Sequence, residues 1–344
     1  MGSRGPLLVA SVLSILFTVA LFYATVEVPR LVNDCVVTSS LSGVNASEII
    51  YSPNISGVLG SLRPLGYAAF ALTAVLAVLG FLLRKSRLAL TGSWLLYLPT
   101  FGYFAFSMVW LAGIGAVRVL WLPLLDASPA TLKLGHIVLV PYLLLSPVLK
   151  PVAERLGEVA VYLGLPTPLQ ELLSSPAGLI ALTCMVAGIF MFTFGTATWF
   201  YGRFRGFKLV DFWAYKISRH PQYLGFLLWS YGLTLAPLWL WPPRGITLPT
   251  PTLPWLLSAL TVVSVALWEE AEMVRRQDIN YLRYRESTPF MFPLPKPFSE
   301  LFTRINTWII GKPYPETLGE VLIIVSVYGF ALVLLSIPLI PVVR

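Results

Sequence analysis

The chain has 344 residues, of which 57% are hydrophobic and only 12% are charged. A soluble domain carries about 25% charged residues. This composition, with a mean hydropathy of +0.78, therefore excludes an ordinary soluble protein and predicts an integral, multi-pass membrane protein. The net charge of +8 does not indicate nucleic-acid binding, because most Lys and Arg residues lie in loops between apolar runs, where they set orientation in the membrane.

Apolar runs of the length that a spanning helix needs, about 20 residues, recur along the chain. The first, residues 6–23, is longer than the core of about 7–15 residues typical of a signal peptide, so we expect a retained helix. The predicted fold is all-α, a polytopic membrane helix bundle with about seven spanning helices. These are predicted at residues 6–23, 65–83, 94–117, 176–199, 226–241, 255–268 and 318–338.

The first loop and the cysteines indicate little chemistry. Residues 25–63 form a predicted polar loop with two Asn-x-Ser triplets, at Asn45 and Asn54, which favour the outer face of the membrane. Cys35 lies in this loop and Cys184 in an apolar run, so we expect no disulfide between them. The chain shows no zinc or haem spacing, and we expect no metal site.

The segment 134–175 is predicted to be re-entrant or interfacial. Its apolar part, residues 134–149, has 16 residues including Pro141 and Pro147, and reaches roughly 24 Å against an apolar core of about 30 Å. Parity agrees with this interpretation. The basic loops 84–87 and 203–219 should both be cytosolic, which requires an odd number of crossings between Arg87 and Pro176, and residues 94–117 supply one.

The resulting topology has the N-terminus in the cytosol and the C-terminus outside. It puts 16 of the 24 Lys and Arg residues on the cytosolic side, the bias expected of membrane proteins. We divide the chain into an N-terminal membrane extension (1–175), a membrane core (176–295), and a C-terminal loop with one additional transmembrane helix (296–344).

The most informative stretch of the core is Ser-Arg-His-Pro-Gln-Tyr-Leu-Gly at residues 218–225. Proline is favoured at the first position of a helix, so Pro221 predicts a helix start with His220 near the cap and Arg219 just outside it. A helix N-terminus suits an anion. The alternative is a positively charged membrane anchor, which explains Arg219 but not His220, one of only two histidines.

Three acids follow at the inner end of the next predicted helix, which we expect to continue to about Tyr284. Glu272 can pair with Arg275 or Arg276 at helical spacing, whereas Glu269 and Glu270 have no such partner, and carboxylates facing lipid are costly. Tyr281 and Tyr284 come next, as ligand contacts or as an interfacial aromatic belt.

Glycines in the preceding helix leave two interpretations open. Gly188, Gly195 and Gly202 are seven residues apart and share one face. Such small residues either let helices pack tightly or let a ligand approach the backbone.

A cytosolic face with an anion-binding helix start, two acids and tyrosines suits a nucleoside that carries an amine and a carboxylate. S-adenosylmethionine fits, its sulfonium meeting an aromatic face. A nicotinamide dinucleotide fits the basic loop better, and these physical criteria alone leave both open.

The motif set, in its order along the chain, resembles the integral membrane methyltransferases: isoprenylcysteine carboxyl methyltransferase and, more distantly, the phospholipid N-methyltransferases. The resemblance covers residues 179–293, and the chain departs from the family at Gln277-Asp278-Ile279, where Phe-Gly is common. The residues that carry it are Arg219-His220-Pro221-x-Tyr223-x-Gly225, Glu269-Glu270, Tyr281-x-x-Tyr284 and Pro289.

The resemblance implies a cytosol-facing S-adenosylmethionine pocket and a lipophilic or lipidated acceptor that arrives from the bilayer. It implies that Arg219 and Glu270 are catalytic, Arg219 by orienting an anionic acceptor. The implied cofactor-binding residues are His220, Tyr223, Gly225, Glu269, Glu270, Tyr281 and Tyr284.

Two alternatives remain. Membrane sterol-type reductases that use NADPH carry a similar Arg-His-Pro-x-Tyr-x-Gly stretch, but usually with Asn at the position of Gln222 and with Arg and Asp instead of the Glu pair. A non-enzymatic transporter or receptor would show buried charges along a path through the membrane, and few are present. His136, flanked by apolar residues, is expected to be structural.

Overall fold

The computed structural model describes residues 4–40, 55–101, 122–239, 250–276, 279–294 and 296–342. Within these ranges the protein is all-helical and contains no strand, as predicted. The α-helices are α1 (Arg4–Ser40), α2 (Ile55–Leu82), α3 (Ser86–Phe101), α4 (Leu122–Ala127), α5 (Val140–Tyr162), α6 (Thr167–Leu173), α7 (Pro176–Phe204), α8 (Ala214–Ile217), α9 (Pro221–Thr234), α10 (Thr252–Arg275), α11 (Ile279–Ser287), α12 (Lys296–Ile310) and α13 (Leu318–Ser336).

Five helical segments in the described part of the chain are long and apolar enough to cross a membrane, which is compatible with a multi-pass membrane protein. A shorter apolar helix, Gly66–Leu82, matches the second predicted span. Most of the third predicted span and the end of the fifth lie outside the described residues. The five segments are Gly5–Thr25, His136–Tyr162, Pro176–Phe204, Thr252–Arg275 and Leu318–Leu339.

The span predicted at residues 6–23 matches the candidate span Gly5–Thr25, but the helix that contains it is longer than predicted. It runs on to Ser40, through a stretch that was expected to be a loop. A helix satisfies its own backbone hydrogen bonds in water as in lipid, so the loss of apolar character marks the end of a span and not of the helix. Asn45 and Asn54, of the two Asn-x-Ser triplets, lie outside the described residues.

The segment expected to be re-entrant also differs. The apolar part, which was expected to be too short to span, belongs to helix α5, which continues through Pro151 to Tyr162. With the 3₁₀ turn before it, the helical segment has 27 residues and is about 40 Å long at 1.5 Å per residue. Its length and composition therefore suffice for a crossing.

The helix that carries the acids was expected to continue to about Tyr284, but it ends earlier. Helix α10 ends at Arg275, and α11 begins at Ile279. In an unbroken helix Tyr281 would lie about 16 Å beyond Glu270, at 1.5 Å per residue. Instead, α11 lies close to the acids: the carbonyl of Arg285 in α11 accepts a hydrogen bond at 3.2 Å from Nη1 of Arg219, the residue that pairs with Glu270.

The chain forms two compact units, and each draws on distant parts of the sequence. The first comprises Met1–Phe22, Cys184–Ser230 and Ala259–Phe330. In it α1 packs on α7 and α9 through the Phe22 ring, whose centroid lies 5.2 Å from that of Phe192 and 4.3 Å from that of Trp229. All the candidate site residues belong to this unit.

The second unit comprises Tyr23–Thr183, Tyr231–Ser258 and Ala331–Arg344. Its interior contains polar contacts between distant segments. His136 is fully buried, and its Nδ1 lies 2.9 Å from Thr252 Oγ1. The Tyr231 hydroxyl donates to the carbonyl of Val138 at 2.9 Å. His136 is therefore a packed, hydrogen-bonded residue, in agreement with the structural role expected from the sequence.

Candidate functional site

The helix start at Pro221 is confirmed. Helix α9 begins at this residue, and the carbonyl of His220 accepts the hydrogen bond from the amide of Leu224 at 2.9 Å. His220 is thus the N-cap, and its own amide donates to Ser218 Oγ at 3.1 Å. The amide of Arg219 donates to the carbonyl of Pro289 at 3.0 Å, which attaches the helix start to the segment after α11.

A buried charge cluster joins this helix start to the end of α10. Oε1 of Glu270 lies 3.1 Å from Arg219 Nε and 3.1 Å from His220 Nε2. The side chains of Arg219, His220 and Glu270 are 5%, 12% and 7% exposed. A carboxylate oxygen only accepts, so the proton lies on Nε2 of His220. Within the described residues Arg219 Nε has no well-directed hydrogen bond, so its attraction to Glu270 is mainly Coulombic.

Beside this cluster lies a more open pair on the same two helices. The Tyr223 hydroxyl donates to Glu269 Oε1 at 3.0 Å, and Glu269 is exposed. The Tyr223 ring stacks on His220 with centroids 5.6 Å apart and an angle of 15° between planes. The two acids thus differ: Glu270 is buried and neutralised, whereas Glu269 presents its carboxylate at an aromatic surface.

The segment after α11 covers the cluster. The Phe290 ring lies 5.3 Å from the His220 ring, centroid to centroid, and 5.7 Å from the guanidinium carbon of Arg219. Sequence reasoning noted Pro289 but missed Phe290. The Phe-Met-Phe run that follows Pro289 was the available signal, because large apolar side chains in a polar stretch are usually packed.

The two predicted tyrosines, Tyr281 and Tyr284, are buried in the protein. Tyr281 and Tyr284 are 4% and 7% exposed, and burial raises the pKa of both phenols. The Tyr284 hydroxyl donates to the carbonyl of Tyr215 at 2.7 Å. Tyr215 in turn contacts Gln222, whose Nε2 lies 2.9 Å from the Tyr215 hydroxyl, and burial raises the pKa of Tyr215 to about 12. Neither Tyr215 nor Gln222 was a predicted site residue.

The glycines mark close helix packing. A Cβ on Gly225 would lie 2.5 Å from the amide nitrogen of Phe192 in α7, and one on Gly188 would overlap the backbone of Trp229 in α9. A Cβ on Gly195 would lie 3.0 Å from the ring of Pro221. These contacts favour the packing interpretation and show that Gly225 faces a neighbouring helix.

A polar cavity of about 510 Å³ is lined in part by α11. Two basic side chains and one acid contribute to its wall, but neither glutamate of the candidate site does. The lining residues are Asp211, Lys216, Arg283, Tyr284, Ser287 and Thr288.

Among the residues that the structure describes, no group of three or more His, Cys, Asp or Glu side chains could hold an ion. The site therefore presents one exposed carboxylate, that of Glu269, beside the stacked rings of Tyr223 and His220. The buried ion pair of Arg219 and Glu270 lies next to them.

Comparison with known proteins gives no match for this chain among family models, curated proteins or solved structures.

Proposed function

We propose that the protein is an integral membrane methyltransferase that uses S-adenosylmethionine and acts on a lipophilic acceptor, an isoprenylcysteine-type carboxylate or a lipid. The supporting observation is the meeting of α9 and α10 at Glu269 and Glu270. His220 and Glu270 are 50 positions apart in the sequence, yet Nε2 of His220 lies 3.1 Å from Oε1 of Glu270. Tyr223 and Glu269 are 46 positions apart and 3.0 Å apart.

The open side of this cluster suits the proposed cofactor. Glu269 uses one carboxylate oxygen for Tyr223. Within the described part of the chain its other oxygen makes no hydrogen bond, so it can accept one from an ammonium group or a ribose hydroxyl. The stacked rings of Tyr223 and His220 offer faces for an adenine. The tyrosine ring also attracts a sulfonium ion.

S-adenosylmethionine supplies an electrophilic methyl group: its carbon–sulfur bond breaks, a bond to the acceptor forms, and sulfur keeps the electron pair. In our proposal Glu269 binds the cofactor and takes the proton of an amine or hydroxyl acceptor. A carboxylate acceptor needs no base. The resemblance implies catalytic roles for Arg219 and Glu270, but in our proposal this buried pair holds the two helix ends in register. The site would align the acceptor with the methyl–sulfur bond, and such alignment of two reactants contributes about 7–11 kcal/mol to a transfer reaction.

A methyl-transfer assay tests the proposal. The purified protein in phospholipid vesicles receives methyl-labelled S-adenosylmethionine and either N-acetyl-S-farnesylcysteine or phosphatidylethanolamine as acceptor. We expect label in the organic phase with at least one of them, and less label with Glu269→Gln. Glu272→Gln is the matched control, because Glu272 lies on the same helix and pairs with Arg275 at the surface. Equal loss in both variants would contradict the role of Glu269.

We propose further that the chain crosses the membrane about seven times and that the site faces the cytosol. Arg4 and the basic stretches 203–219 and 275–312 belong to one compact unit, and the positive-inside rule assigns such a group to the cytosol. If α5 does not cross, Ser39 and Ser287 lie on opposite sides. Single-cysteine labelling at these positions in intact vesicles, without the two native cysteines, tests this. Labelling from the same side would mean that α5 crosses.

A further inference from the structure

Helix α12 has two faces of opposite character. At 100° per residue, six apolar side chains fall within an arc of about 120°. They are Phe298, Leu301, Phe302, Ile305, Trp308 and Ile309. The opposite side of the helix is polar and carries Ser299, Glu300, Thr303, Arg304 and Thr307. Much of the apolar face is uncovered: Phe298, Leu301 and Trp308 are 55%, 52% and 85% exposed.

One flank of α12 packs along α13, a helix apolar enough to span the membrane. The Phe302 ring lies 5.9 Å from the Tyr328 ring, centroid to centroid. The Tyr328 hydroxyl donates to Asn306 Oδ1 at 3.1 Å. Tyr328 lies ten positions after Leu318, about 15 Å along the axis of α13. Helix α12 therefore borders the spanning length of α13 and not only the loop before it.

Helix α13 also exposes apolar side chains. Ile323, Val327 and Phe330 of α13 are 51%, 41% and 68% exposed. In a spanning helix such side chains meet the acyl chains of lipids. A partner in water does not reach a surface at that depth, whereas a helix with one apolar and one polar face lies stably at the boundary of headgroups and acyl chains.

We infer that α12 is an interfacial helix whose apolar face lies in the lipid acyl chains and whose polar face lies in water. The occupant of the uncovered face is the bilayer. Arg304 shares the polar side with Glu300, so burial of the apolar side chains, and not attraction to anionic lipid, supplies the binding. Helix α12 starts just after the segment that bonds to Arg219 through Pro289, so the bilayer surface anchors one wall of the candidate site.

Spin labels on the full-length protein test this inference. Single cysteines are placed at Leu301 and Trp308 on the apolar face, after replacement of the two native cysteines, and the protein is reconstituted in phosphatidylcholine vesicles. Glu300→Cys and Thr307→Cys are matched controls, since each adjoins a test position but lies on the polar face. The collision rates of each label with oxygen, which concentrates in lipid, and with a water-soluble nickel chelate are compared.

We expect a several-fold higher ratio of oxygen to nickel collisions at 301 and 308 than at 300 and 307. High nickel accessibility at all four positions would overturn the inference, because α12 would then stand in water. Low accessibility to both reagents at 301 and 308 would also overturn it, since protein would cover the face. If dilution with unlabelled protein removes that protection, the cover is a second copy of the chain.

Discussion

Replacing Glu270 by Gln should destabilise the protein far more than the same change at Glu272. Both glutamates lie on α10, and each has an oxygen 3.1 Å from an arginine nitrogen. The side chains of Arg219 and Glu270 are 5% and 7% exposed, whereas those of Arg275 and Glu272 are 46% and 42% exposed. Breaking a buried ion pair costs about 3–5 kcal/mol, because a charge stays buried without compensation. An exposed pair contributes about 0–1 kcal/mol.

Thermal unfolding in detergent, followed by tryptophan fluorescence, measures this difference. A double variant, Arg219→Met with Glu270→Leu, removes both charges and should recover part of the stability lost in Glu270→Gln, since apolar pairs of similar size often replace buried ion pairs without loss. Equal unfolding temperatures for Glu270→Gln and Glu272→Gln would refute the reasoning. The reasoning would also fail if the double variant lost more stability than the sum of the losses measured for Arg219→Met alone and Glu270→Leu alone.

Two further predictions follow from packing and from burial. Gly225→Ala places a Cβ 2.5 Å from the backbone of α7 and should lower the free energy of unfolding by about 1–3 kcal/mol. The control is Gly319→Ala, whose new Cβ meets only one atom at 4.0 Å; it should be neutral or stabilising by up to about 1 kcal/mol. Equal unfolding temperatures for the two variants would contradict the close contact of α7 and α9. The pKa of Tyr215 is about 12 in the folded chain and about 10 when unfolded, so between these values the unfolded state has lost a proton that the folded state keeps, and stability should fall as pH rises. Tyr215→Phe should make the unfolding temperature less sensitive to alkali in this range, and an unchanged pH profile would show that the phenol is not buried as described.

Some features of the site were predictable because they depend on local chemistry. Pro221 marks the helix start, since the ring of proline fits the first turn. The apolar runs at α1, α7, α10 and α13 marked four of the candidate spans. The pairing of Glu272 with Arg275 at 3.1 Å followed from helical spacing.

Other features depend on contacts between distant segments. The partner of Glu270 comes from a helix start 50 positions earlier, and spacing along one helix does not reveal it. Helix α10 ends at Arg275, in a charged stretch that favours a continuous helix. The contact between α11 and Arg219, which the local sequence does not reveal, stabilises the observed arrangement. Helix α12 was missed because its polar residues dilute an apolar face that only the 100° periodicity reveals.

The central claim is that the cluster at α9 and α10 belongs to an S-adenosylmethionine site. The most direct measurement is the change in unfolding temperature of the purified protein with S-adenosylhomocysteine and, separately, with NADPH. At 100 times its dissociation constant a ligand stabilises the folded state by about 2.7 kcal/mol. We predict stabilisation by S-adenosylhomocysteine that Glu269→Gln reduces and Glu272→Gln preserves. Stabilisation by NADPH alone would contradict the account and favour a sterol-type reductase.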